Sequence, residues 1–134
     1  MIRFGLAVFL AFAAMFSSQV MAGDKKVAMC RIAALIADRN FSIGVLNKDE
    51  SESERKAFFT AIGLLASSDG LTADQIKAVD AFVHNYFTAN VSGFMELADS
   101  RDKLRLSIDQ TSEIFATIVV GECLHNQSSP AKGL

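Results

Sequence analysis

The chain has 134 residues, 13 basic and 15 acidic side chains, two cysteines and no tryptophan. A formal charge of −2 offers no electrostatic footprint for nucleic acid or for an anionic membrane surface. The length suits one domain with a modest core, and small exported domains of this size often add a covalent staple.

Met1 to Ala22 reads as a secretory signal peptide. Arg3 supplies the positive start, and Phe4 to Phe16 is an apolar run short of the ~20 residues a membrane span needs. Ser17-Ser18-Gln19 breaks that run, and Val20-Met21-Ala22 precedes the polar stretch Gly23-Asp24-Lys25-Lys26. Cleavage is expected after Ala22, leaving residues 23–134 as a single periplasmic domain with no stable membrane insertion. Loss of Arg3 leaves 12 basic side chains against 15 acidic ones.

In an oxidising compartment two cysteines permit one intramolecular pairing, Cys30 with Cys123. Such a bond closes nearly the whole domain, and chain-entropy arguments value it at roughly 4 to 5 kcal/mol. Two buried thiols, or a bridge between the chains of a homodimer, are the alternatives.

The periodicity is helical throughout, with no strand alternation and no internal repeat, so the expected class is all-α. The first helix is predicted from about Lys25 to Asn40, with Val27, Cys30, Ala34, Ala37 and Phe41 on one face. Ser51 followed by Glu54 is a capping-box pattern that opens a second helix running to about Ser67. Phe58, Ile62 and Leu65 form its stripe, with Phe59 and Ala66 alongside, and Ser67-Ser68-Asp69-Gly70 makes the turn that follows. Thr72 and Gln75 form another box, opening a third helix with Ile76, Val79, Val83 and Phe87 inward and His84 outward, ending near Asn90. Ser92 to Ala98 reads either as a fifth, short helix or as the start of a long last one. From Asp102 to about His125 the pattern is strong, with Leu104, Ile108, Phe115, Val119 and Cys123 on one side. The tail from about Asn126 is expected to fray.

The expected architecture is thus a small antiparallel bundle of four main helices closed by one disulfide. With four, the start of the first helix and the end of the last share one end, which brings Cys30 to Cys123. An independent fifth helix that reverses direction would break that parity.

The residues lack the patterns of most site chemistries. A calcium loop with Gly70 at its sixth position would place Leu65 first and Ile76 twelfth, where carboxylates are needed. His84 pairs with Asp80 at helical spacing, and His125 suits the C-terminal dipole of its helix. Neither has a partner at metal-ligand spacing, so no metal is expected. No serine sits in a nucleophile-elbow context, so the protein is expected to be non-enzymatic. Met29 and His125 fall near one end of the bundle, the arrangement in which helical bundles hold b-type haem; Met29 as core filling is the simpler reading, and no cofactor is expected.

Cys30 in Val27-Ala28-Met29-Cys30, the segment Cys123-Leu124-His125-Asn126-Gln127-Ser128, and Leu71 to Phe87 between them resemble the periplasmic amidase immunity proteins of type VI secretion systems. The resemblance implies a small all-helical inhibitor that binds a peptidoglycan amidase effector and blocks its cleft with a loop. On the residues alone, the candidates for partner contact are the acidic cluster Asp49, Glu50, Glu52 and Glu54, the turn residues Ser68 and Asp69, and an exposed Phe94. The alternative function is a periplasmic chaperone or envelope-stress protein that opens around Gly93-Phe94-Met95 when conditions change.

Overall fold

The computed structural model describes residues 25–125 and residue 130. The signal sequence expected at residues 1–22 and almost all of the tail beyond residue 125 lie outside the described residues. Among those described there are five helices: α1 (Lys25–Gly44), α2 (Glu52–Ser68), α3 (Ala73–Ala89), α4 (Val91–Asp99) and α5 (Ile108–His125). None is long and apolar enough to cross a membrane.

Helix α1 is the axis. Its buried residues, from Ala28 through Ile32 and Ile36 to Phe41, run round most of its circumference. A helix that is apolar nearly all round must be enclosed by others. α5 supplies the main wall and runs antiparallel to it. Cys30 bonds Cys123 at one end, Ser112 meets Asp38 further along, Phe41 stacks on Phe115, and Lys48 reaches Asp109 at the other end. α2 descends alongside α1, since Glu50 before its start pairs with Arg39 and Asp69 after its end pairs with Arg31. α3 climbs parallel to α1, from Gly70 beside Lys25 to Phe87 beside Phe41.

The four long helices therefore alternate in direction, and the expected parity holds. The fifth helix does not break it, because α4 has nine residues and works with residues 100–107 as a connector from α3 to α5.

The capping boxes expected at Ser51 and Thr72 are both formed. The turn after α2 is a Schellman arrangement. Gly70 adopts φ 71°, its N–H donates to the Ser67 carbonyl, and the Leu71 N–H donates to the Ala66 carbonyl. Glycine, with no Cβ, takes that φ at no steric cost. The cluster Ser67–Gly70 is thus explained as a helix stop.

Two boundaries and one buried position differ from the sequence expectation. α1 passes Asn40 and continues to Gly44, because Phe41 and Ser42 are buried and hold the last turn in the core. The chain then leaves through Asn47, which has φ 58°. The last helix starts at Ile108 rather than near Asp102. Ser107 and Gln110 form a third reciprocal cap, each backbone N–H donating to the other's side-chain oxygen, at 2.9 and 3.0 Å. Upstream, Arg105 has φ 56° and Leu104 is 58% exposed, so the apparent continuation of the stripe is a turn. Third, Phe82 joins Val79 and Val83 in the buried face of α3, a position the sequence reading omitted.

Candidate functional site

The acidic cluster at residues 49–54 lies on the connection into α2, and the structure divides its carboxylates between different tasks. Glu54 closes the capping box by accepting from the Ser51 N–H at 3.1 Å. Glu50 accepts two hydrogen bonds from Arg39, from Nε at 2.8 Å and from Nη2 at 2.7 Å. This fork-to-fork geometry fixes both side chains, and the guanidinium holds the Glu50 carboxyl below its ordinary value. Asp49 and Glu52 remain exposed on the surface, with Arg55 of the next turn 3.4 Å from Glu52.

The connection is pinned a second time at Lys48, whose ammonium donates to Asp109 Oδ1 at 2.9 Å on α5. With Lys48 tied to α5 and Glu50 tied to α1, the intervening Asp49 and the start of α2 are presented on a defined scaffold.

Arg39 also organises aromatic surface. Its guanidinium carbon lies 5.2 Å from the Phe58 ring centroid and 5.0 Å from that of Phe59. Arg55 approaches Phe59 from its own helix at 5.9 Å. The Phe58 and Phe59 rings meet edge to face at 5.4 Å. Phe59 is 51% exposed, although two cations and a second ring hold it in place. A half-exposed aromatic ring fixed between arginines, with carboxylates beside it, has the composition of a protein-binding hot spot.

Sequence reasoning singled out the acids of this surface and passed over Arg39, Arg55 and the outward face of Phe59. A signal was available: Phe58 and Phe59 are consecutive, so on a helix one of them must turn away from the core.

The other proposed contact residues stand differently. Ser68 is exposed, whereas the Asp69 carboxylate is engaged by Arg31 of α1. Phe94 is not the exposed contact expected from the sequence. It is 7% exposed and sits among Phe41, Tyr86, Phe87 and Phe115. α4 docks through this ring, so Phe94 is a core residue, and its neighbour Met95 is the one left outside. Met29 is 1% exposed inside the core and His125 is exposed at the end of α5.

A second polar group, missed entirely by sequence reasoning, lies in the α1–α5 seam. Ser112 Oγ donates to Asp38 Oδ1 at 2.6 Å and lies 3.2 Å from the Asp109 carbonyl. Burial pushes the Asp38 carboxyl up to about 6, against the opposing pull of the Ser112 hydrogen bond and Lys48, with Asp109 adding to the rise. Burial also raises Glu113, helped by the charges of Asp38 and Asp109. Ser112 is fully buried, with its hydroxyl donating to the Asp38 carboxylate. Among the described residues, no group of three or more His, Cys, Asp or Glu side chains has the geometry to hold a metal.

Comparison with protein-family models, curated proteins and solved structures finds no match.

Proposed function

We propose that this protein is an exported, non-enzymatic inhibitor that docks a protein partner through the platform of Arg39, Arg55 and Phe59, with Asp49 and Glu52 as acidic rim. The partner chemistry proposed is a cell-wall-degrading amidase, following the immunity-protein resemblance of the two cysteine segments. The disulfide between Cys30 and Cys123 is compatible with an oxidising compartment such as the periplasm. The observation that carries the reading is the exposed Phe59 ring, immobilised by Arg39, which is in turn locked by Glu50. Order established before binding lowers the conformational cost of association. A carboxylate rim adds steering toward a basic partner.

The alternative of an acid-opened chaperone fits less well. The raised pKa values of Asp38 and Glu113 mean that protonation favours the folded seam, so falling pH tightens α1 against α5 at this point.

The test is inhibition. The mature protein, with its disulfide intact, is titrated into type VI secreted peptidoglycan amidases, and release of cleaved muropeptide is followed. Stoichiometric inhibition is expected, with Phe59→Ala weakening it by about tenfold or more, the range of a hot-spot truncation. Unimpeded hydrolysis at excess protein would sink the amidase reading. Equal inhibition by Phe59→Ala would move the docking surface elsewhere.

A further inference from the structure

A cleft of about 460 Å³ opens between the C-terminal end of α1 and the C-terminal half of α3. It is separate from the outward face of Phe59, though Arg39 borders both. Its volume falls within the range of small-molecule sites, roughly 300–1,000 Å³.

The cleft is walled by three rings of the aromatic core. Phe41 and Phe115 stack at 4.6 Å, and Phe87 meets each of them edge to face, at 6.2 and 6.0 Å. Phe41 and Phe115 are themselves buried, so this wall is preformed. The mouth carries Arg39, Asn40, His84 and Thr88. In a chain with 15 carboxylate side chains, none belongs to a residue lining this cleft. Glu50 occupies Nε and Nη2 of Arg39; the remaining Nη1 makes only a long contact, 3.4 Å, to Asn40 Oδ1.

We propose that this cleft binds a free single-chain amphiphile with an anionic head. The tail lies against the half-buried Phe87, Ile43 and Val45, backed by the buried Phe41 and Phe115, where apolar surface leaves water. The carboxylate sits at the mouth, beside His84 and the Nη1 edge of Arg39 that Glu50 leaves open, where N–H donors are available and no residue of the lining is acidic. Charge complementarity selects this occupant over a cationic or neutral amphiphile of the same length.

Gly44 supplies the test. It lines the cleft, its φ is not left-handed, and a Cβ added there meets no heavy atom within 4 Å. Gly44→Leu therefore extends a side chain into open space without a clash, and leaves Phe59 and the acidic rim untouched. Calorimetry and NMR on the disulfide-intact protein would compare octanoate, octanol and octyltrimethylammonium. Octanoate is expected to bind saturably at one site, shifting resonances of His84 and Phe87, and to bind about tenfold or more tighter than octanol, a ratio of the size one favourable charged contact gives. The ammonium compound is expected not to bind. Gly44→Leu is expected to abolish octanoate binding with helicity and melting point retained. Three results would each overturn the assignment: equal binding of the three amphiphiles, octanoate shifts that survive Gly44→Leu in the folded variant, or concentration-dependent shifts of the same resonances without ligand, which would place a second copy of the chain in the cleft.

Discussion

Ser112 donates a hydrogen bond to Asp38 at 2.6 Å across 74 residues of sequence, and this bond joins the first turns of α5 to the C-terminal half of α1. It places an ionisable carboxyl in a seam whose other groups are Lys48, Asp109 and Glu113. Asp109 Oδ2 and Glu113 Oε1 are buried there without a hydrogen-bond partner among the described residues. The seam is therefore a site of electrostatic cost at neutral pH, offset by the apolar contacts on either side.

Asp38 has a definite pH signature. Its folded value, about 6, lies above its ordinary 3.8. The folded state then binds the proton more tightly than the unfolded chain. The stabilisation is fully present below about pH 4 and is lost as pH rises through 6. Asp38→Asn keeps an acceptor for Ser112 and removes the charge. It is expected to raise stability at pH 7.5 by on the order of 2 kcal/mol and to change little at pH 4. Urea denaturation at the two pH values measures this; equal effects at both would contradict it.

Glu50 has the opposite sign. Its carboxyl is held below the ordinary value by Arg39, so its contribution is present above that ordinary value and fades as pH falls through the lowered one. The pair is partly buried, so Glu50→Gln is expected to cost about 1 kcal/mol at pH 7, and nothing once the carboxyl is protonated. The more sensitive readout is order. Amide exchange at residues 48–52 should accelerate in the variant while the α1–α5 core stays protected.

Phe94 and Phe59 separate core from surface. Phe94→Ala removes a ring that touches four other aromatic side chains and is expected to destabilise by about 3 kcal/mol or more. Phe59→Ala, at a half-exposed ring, is expected to cost about 1 kcal/mol or less while weakening partner binding. Thermal melts of both variants, read with an inhibition assay, give the contrast; a reversed order of stabilities would refute the assignment of these two residues.

Cys30 and Cys123 enclose a sequence separation of 93 residues. Restricting the unfolded chain over such a loop contributes about 4 to 5 kcal/mol in the entropic account. Cys123→Ala should lower the melting point by a large margin in oxidising buffer and by far less in reductant, where the wild type has already lost the bond. An equal loss in both would mean the sulfur pair contributes through packing alone.

Much of this fold is legible along the chain because its signals are local. Ser51 with Glu54 and Thr72 with Gln75 announce helix starts within four residues, and Gly70 announces a stop. Ser107 with Gln110 carried the same information, but the apolar period through Leu104 masked it. Periodicity reports spacing, and a turn that happens to preserve the spacing looks like a helix.

The candidate site was legible only in part for a different reason. The acids at residues 49–54 are conspicuous as a run, but their roles depend on what stands opposite them in space. Arg39 is eleven positions from Glu50, and nothing in its neighbours marks it as the group that orders the Phe58–Phe59 surface. Phe94 looked like a loop aromatic because its own segment is short; its burial comes from Phe41 and Phe115, both distant in the chain.

Local backbone chemistry and helical spacing were enough to specify an all-α body, most of its caps and the pairing of its two cysteines, since each depends on neighbours a few residues away or on there being one partner to choose. Which phenylalanine faces water, which carboxylate is neutralised by an arginine and which is forced into an apolar seam were settled by packing, because exposure and electric field are properties of atoms brought together from distant parts of the chain.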